Sequence, residues 1–151
     1  MIRKRIVFTK PKTAELLSEE LRAIKANEAL VETELTLISN GTERACILGM
    51  PNTVPLTFPK HLGYCGIGRV TETGADVKNV APGDRVLVYH GFHADFNAVN
   101  SDNLYRVYED DLDSREAVFT IIASMGLGGV RKSELEIGES AMVMGLGLLG
   151  I

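Results

Sequence analysis

From Gly63 to Tyr89 the chain reads GYCGIGRVTETGADVKNVAPGDRVLVY, and this stretch constrains the fold more than any other. Residues 67–73 and 85–89 are rich in Val, Ile, Thr and Tyr, which fit a pleated surface, and Gly74, Pro82 and Gly83 punctuate the polar connection between them. Two strands are predicted. Gly63, Gly66 and Gly68 crowd the start of the first, where the lack of Cβ atoms lets a bulge form or another backbone come close. A site is expected there. Val86, Leu87 and Val88 form a continuous apolar run, the pattern of a strand covered on both faces. The stretch therefore predicts a barrel or sandwich core on which the rest must pack.

A chain of 151 residues can bury roughly 70% of the surface its unfolded form exposes, so it needs no staples. Sixteen basic residues against twenty acidic ones leave a net charge of −4, which argues against an electrostatic nucleic-acid binder. The one basic cluster, Arg3-Lys4-Arg5, is too short for such a footprint. The apolar segment that follows it, Ile6-Val7-Phe8, falls far short of a signal peptide, and no run approaches the ~20 residues of a membrane span. A cytoplasmic protein without a membrane partner is expected. Cys46 and Cys65 stand in no CxxC arrangement, so each is expected as a small buried apolar residue.

In chain order, residues 2–9 predict a strand, ended by Lys10-Pro11. Leu16, Leu17, Leu21 and Ile24 have helical spacing, and on that pattern residues 13–30 predict a helix. Across residues 29–38, Val31, Thr33, Leu35 and Leu37 alternate with Glu32, Glu34 and Thr36, the period of a half-buried strand. It runs into Ser39-Asn40-Gly41-Thr42-Glu43-Arg44, which puts two hydroxyls, an amide and a carboxylate on one short loop. That loop is a candidate for chemistry, and its plainer reading is a turn whose Thr42 hydroxyl caps a short helix over residues 43–48. Pro51, Pro55 and Pro59 then mark a loop that cannot pair in a sheet.

His90 and His93 suggest a metal, but side chains three apart on a strand end point to opposite faces and nothing nearby completes a tetrahedral set. His93 is expected as a polar residue lining a cleft. Residues 94–99 and 104–107 predict further short strands. Asp113-Ser114-Arg115-Glu116 is a capping box opening a helix through Val118, Ile121, Ile122 and Met125, which Gly126, Gly128 and Gly129 allow to pack closely or bend. Residues 141–144 predict a short apolar strand, and Gly145-Leu146-Gly147-Leu148-Leu149-Gly150 follows at once.

In a dinucleotide fingerprint the first Gly makes the turn, the second lets the backbone approach the pyrophosphate, and the third lets helix and strand pack. Gly145, Gly147 and Gly150 are the cofactor-binding candidates on that pattern. The following helix, the return strand and the acidic residue for the ribose lie outside this sequence, so half a site is expected.

The order of these pieces resembles the medium-chain dehydrogenase/reductase family. The resemblance rests on the GT-acid loop at Ser39 to Arg44, the G-x-x-G-x-G-x-V of Gly63 to Val70, the VAPGDRV of Val80 to Val86 and the strand-GxGxxG segment. It implies a mainly β fold: a GroES-like, partly open β-barrel over residues 1–138, then residues 139–151 as the opening of a Rossmann domain. It also implies a strand, a loop and another strand in place of the helix at 13–30. NAD or NADP would be the cofactor of the full-length protein, a small molecule its substrate, and a homodimer its assembly.

Against the zinc-dependent members, Asn40 stands where a Cys ligand would be and Gly63-Tyr64-Cys65 where Gly-His-Glu would be. Residues 117–125 hold no Cys, His, Asp or Glu for the third ligand, and the four-Cys lobe is absent. The resemblance is therefore to zinc-free members with an SxGTE-type loop, and no metal is expected. Thr42 matches the hydroxyl residue that relays protons in the zinc-dependent relatives. Asn40 could donate its amide to a carbonyl, and the Tyr64 phenol could act as an acid. Glu43 is either a cap partner or a catalyst. The expected function is zinc-independent hydride transfer to or from a small carbonyl, alcohol or activated alkene, with this chain inactive by itself. The alternative is a non-catalytic binding or scaffolding domain that has lost its cofactor half. Three intact glycines at the fingerprint spacing favour the enzyme.

Overall fold

The β-branched and alternating segments pair as antiparallel ladders in two sheets. The structure is a computed structural model that describes residues 1–151. β1 (Ile2–Lys10) and β2 (Thr13–Glu20) form a hairpin in which Ile6 faces Leu16, and β4 (Lys60–His61) pairs with the other edge of β1. The second sheet has the order β7-β3-β5-β6-β8. Its strands are β3 (Glu28–Leu37), β5 (Cys65–Thr73), β6 (Arg85–Tyr89), β7 (Phe96–Asn100) and β8 (Leu104–Arg106). A single bridge between Arg5 and Ala94 links β1 to the segment preceding β7. The helices are α1 (Asn40–Leu48), α2 (Ser114–Ala117) and α3 (Thr120–Lys132), so the fold is mainly β, as expected. No helix is long and apolar enough to cross a membrane.

The helix predicted over residues 13–30 does not form. Leu16 is 66% exposed and Leu17 37%, so these two have little core behind them, and pairing with β1 decides their conformation. Strand, loop and strand stand there, as the family resemblance implied.

The core is built from side chains of the five-stranded sheet and the β5–β6 connection: Ala29, Val31, Val70, Val80, Val86, Val88, Val99 and Leu104 form one buried cluster. Val86, Leu87 and Val88 are all buried, as their continuous run predicts. Strict alternation fails on β3, where Ala29, Leu30 and Val31 are all buried and the register against β5 shifts between Leu30 and Val31 and again between Thr33 and Leu35. Gly68 meets that irregular edge. A Cβ there would strike the Glu32 carbonyl, the close backbone approach that the glycine spacing suggests.

The GDRV segment is a structural tie. Gly83 takes φ 94° and its N–H donates to the Val70 carbonyl at 2.8 Å, while the Asp84 carboxylate accepts from the Ala81 N–H at 2.8 Å. The buried Arg85 guanidinium donates to the Leu112 carbonyl at 2.7 Å and the Ser114 hydroxyl at 2.6 Å, with Nε 3.4 Å from a Glu34 oxygen. It thereby fastens β6 to the start of α2, whose N-cap Asp113 accepts from the Arg115 N–H at 2.7 Å. Arg85→Ala is expected to lower the unfolding free energy by about 3 kcal/mol, because buried acceptors lose their donor. Urea denaturation checks this, and a shift below ~0.5 kcal/mol would make the tie dispensable.

The chain divides into two compact units, Met1–Val118 and Phe119–Ile151. The single helix expected after Asp113 is instead two, interrupted at Val118 and Phe119. In the second unit, Gly126, Gly128 and Gly129 lie within α3, and only Gly126 meets a neighbour, since a Cβ there would sit 3.5 Å from the Leu149 carbonyl. Residues 141–144 form no strand, correcting that expectation. A strand is completed by a partner's ladder, and no strand lies beside them. Val143, Leu148, Leu149 and Ile151 instead join Ile122, Leu127 and Val130 of α3 around an apolar groove of about 640 Å³.

Candidate functional site

Helix α1 begins at Asn40, not at Glu43. Its N-cap Ser39 makes no side-chain cap bond, and Thr42, read as the cap, lies inside the first turn with its side chain exposed and its hydroxyl unbonded. Glu43 folds back on the helix start instead: its Oε1 accepts from the Ser39 N–H at 2.8 Å, in the manner of the reverse half of a capping box. Gly49 ends the helix at φ 61°, a conformation that suits glycine.

The other Glu43 oxygen, Oε2, lies 2.8 Å from His93 Nε2, and His93 Nδ1 lies 2.7 Å from the Thr36 hydroxyl on β3. Glu43 is 6% exposed and His93 8%. His93 is held on all sides. Its N–H donates to the Leu62 carbonyl at 3.1 Å and its carbonyl accepts from the Ile6 N–H at 2.9 Å. Gly63, at φ 109°, makes room for it, since a Cβ there would stand 2.7 Å from the His93 nitrogen. The buried Asn97 side chain accepts from the Phe92 N–H at 2.8 Å and donates to the Thr33 hydroxyl at 3.1 Å, fixing the preceding residue.

A pocket of about 690 Å³ opens against this network. Ile6, Phe8, Ala14, Ile38, Ile47 and Leu48 supply its apolar lining, and Asn40, Glu43 and His93 a polar wall, with Lys12 and Arg44 also contributing. Of the residues singled out from sequence, Asn40 lines this pocket with Glu43 and His93, and Thr42 and Tyr64 do not. Tyr64 precedes β5 with its ring edge-on to Tyr89, centroids 6.3 Å apart. His93 takes the cleft position expected of it. His90 is exposed against Tyr89, so the two histidines do not converge. No three His, Cys, Asp or Glu side chains are grouped to hold a metal ion.

Thr36 and the coupling of His93 to Glu43 escape sequence reasoning. Fifty or more residues separate His93 from each partner, and no local pattern marks such a contact.

Cys65 is buried beside this network, and burial, followed by the Glu43 charge, pushes its thiol up to about 12. At pH 8 it holds essentially no thiolate, the reactive form. Native protein treated with iodoacetamide is expected to label at the half-buried Cys46 and not at Cys65 until it is unfolded. Mass spectrometry of the tryptic peptides reads the result, and rapid native labelling of Cys65 would contradict it.

The glycine-rich segment forms a turn. Gly145 takes φ 97°, Gly147 has nothing within 4 Å of where a Cβ would be, and a Cβ on Gly150 would strike the Gly145 carbonyl. The Gly147 carbonyl accepts from the N–H groups of Gly150 at 2.9 Å and Ile151 at 3.2 Å. One glycine therefore turns the chain, one leaves an open backbone face and one packs closely. The close approach at Gly150 is to Gly145 within the same turn, not of a helix to a strand.

No family model matches the sequence. D-guloside 3-dehydrogenase of Escherichia coli strain K12 is 30% identical over 170 aligned positions, covering 97% of this chain and 48% of that protein. The structure of the quinone oxidoreductase from Coxiella burnetii superposes with a TM-score of 0.74 at 21% identity, covering 92% of this chain and 47% of that one. Escherichia coli quinone oxidoreductase in complex with NADPH gives 0.71 at 20% identity, over 86% of this chain and 41% of that one. At such identities the solved structures show a shared fold. The chain spans about half the length of the curated relatives it matches.

Proposed function

We propose, from its place in the medium-chain dehydrogenase/reductase family, that this chain is the catalytic domain of an NAD(P)-dependent oxidoreductase acting on a small carbonyl or alcohol. Residues 1–138 carry the substrate side, and residues 139–151 open the dinucleotide-binding domain. The observation that carries the proposal is the alignment of 97% of the chain with a dehydrogenase. The polar wall of Asn40, Glu43 and His93 in an otherwise apolar pocket supports it, being the make-up of a small-molecule site.

Gly145, Gly147 and Gly150 would hold the pyrophosphate of NAD(P), which when bound supplies or accepts the hydride. The chain's own residues deal with the substrate oxygen. As a carbonyl carbon gains hydride, negative charge grows on that oxygen and is stabilised by donors already aimed at it. Asn40 donates its amide N–H from the pocket wall. Thr42, whose unbonded hydroxyl lies outside the pocket lining on the same first turn as Asn40, delivers the proton to a substrate oxygen held at the pocket mouth and is resupplied from solvent; the Tyr64 phenol, also outside the lining, is the alternative acid. The reaction runs without catalytic zinc, since Asn40 and Tyr64 stand at two of the ligand positions. One tightly held zinc per chain, resistant to dialysis against chelator, would contradict this.

The test of the whole proposal uses a protein that joins this chain to a complete dinucleotide-binding domain. Incubated with NADH or NADPH deuterated at C4 and a panel of ketones, quinones and keto-glycosides, it is expected to place deuterium on the former carbonyl carbon of a ketone or keto-glycoside, or to oxidise the nicotinamide as a quinone is reduced to the hydroquinone. No transfer to any of them, together with no cofactor binding, would overturn the proposal in favour of a scaffolding domain. This chain by itself is expected to turn over none of them.

A further inference from the structure

We propose that His93 is a positioning residue: it holds the Glu43 carboxylate, which holds the first turn of α1 and so sets Asn40 and Thr42. The kinetic part of this rests on the oxidoreductase proposal; the structural part does not.

A carboxylate withdrawn from water is costly to keep unless donors meet it. Glu43 has one on each oxygen, the Ser39 N–H on Oε1 and His93 on Oε2. Because the carboxylate only accepts, the proton of that second bond resides on His93 Nε2, leaving Nδ1 facing the Thr36 hydroxyl, which can donate to it. The result is a continuous chain, Thr36 to His93 to Glu43 to the Ser39 backbone, with both ends on polypeptide. Thr36 belongs to β3, paired with Gly66 of β5, and His93 is tied to β1 through Ile6, so the start of α1 is referenced to both sheets.

Helix capping alone does not call for this. Ser39 occupies the N-cap with its own hydroxyl unused for that purpose, and a hydroxyl cap would suffice for a surface helix. A buried carboxylate clamped by an imidazole from a distant segment is an expensive way to close a turn, and what it adds is a fixed geometry next to a pocket. Asn40 and Thr42 lie on either side of Gly41, where even an added Cβ would touch nothing outside the helix, so the clamp at Glu43 is the nearest tie of this turn to the rest of the fold.

Two measurements on this chain test the clamp. Imidazole ¹⁵N NMR is expected to find His93 Nε2 protonated. In Glu43→Gln the amide N–H can donate to Nε2, and the proton is expected to move to Nδ1. Amide exchange is expected to speed up at Ser39 by about 10-fold in His93→Ala relative to Ile67 on β5, the size of one weakened hydrogen bond. His93→Gln, which keeps a donor near Glu43, is expected to restore most of the protection. An unprotonated Nε2 in the parent, or Ser39 exchange unchanged by His93→Ala, would overturn the proposal. If His93→Ala does not fold, the tautomer of the parent and its switch in Glu43→Gln decide.

In the version with a complete dinucleotide-binding domain, His93→Ala is expected to lower kcat about 10- to 100-fold with the cofactor KM unchanged, the signature of misplaced rather than missing groups. His93→Gln is expected to recover part of it. The two proposals fail separately: a parent without turnover overturns the oxidoreductase proposal, while the tautomer and exchange results decide the role of His93.

Discussion

Replacing Gly147 with Val is expected to abolish dinucleotide binding in a protein that joins this chain to a complete Rossmann domain. The residue sits in a turn whose form depends on its carbonyl, which accepts from Gly150 and Ile151, and not on its missing side chain. Nothing lies within 4 Å of where its Cβ would be. The Cβ of a replacement therefore meets no protein atom, and the turn and the thermal stability are expected to stay near the parent's. What it fills is the open backbone face to which a pyrophosphate must come close. A loss of affinity of about 100-fold or more, measured by calorimetry, is the expected outcome; parent-like affinity would mean that the cofactor does not lie on this turn. Gly150→Val is the contrasting variant, because its Cβ would strike the Gly145 carbonyl and should disturb the turn itself.

Thr42→Ala is expected to lower turnover on the order of 100-fold while leaving cofactor affinity near the parent value, the range for a lost proton-transfer group. The structure makes this a clean substitution. Thr42 is exposed on the first turn of α1, its hydroxyl bonds to nothing in the protein, and the neighbouring cap bond belongs to Glu43. An exposed helical Thr→Ala change should alter stability by no more than ~0.5 kcal/mol, so a fall in rate reports chemistry. Tyr64→Phe is the companion, since it removes the phenol and keeps the ring against Tyr89. Full turnover in Thr42→Ala with a large loss in Tyr64→Phe would assign the proton transfer to the phenol.

Much of the first unit could be read directly from its residues. Strands β5 and β6 follow from β-branched runs, and the crowding of Gly63 and Gly68 marks two places where another backbone does come close. Asp113 caps a helix as its position predicts. These are local signals: a residue's own shape, or a turn a few residues long, determines them. Helical spacing at residues 13–30 is local too, and it misleads, because Leu16 and Leu17 take the conformation that pairing with β1 requires. Residues 141–144 err in the opposite way, with strand-like composition and no ladder to join.

The site divides along the same line. The sequence by itself put a dense set of donors and acceptors on Ser39 to Glu43, which it read as a loop and the structure forms as the start of α1, and it spaced Gly145, Gly147 and Gly150 in the pattern proposed above for a phosphate. Only the tertiary structure decided which of those groups share a pocket. Asn40, Glu43 and His93 meet because β1, β3 and the backbone beside Gly63 converge on one imidazole, whose two hydrogen-bond partners lie 50 and 57 residues away in the chain. A buried carboxylate finds its donor by geometry in three dimensions, since the cost of leaving it unpaired is felt only once water has been excluded, and nothing in the local sequence records that.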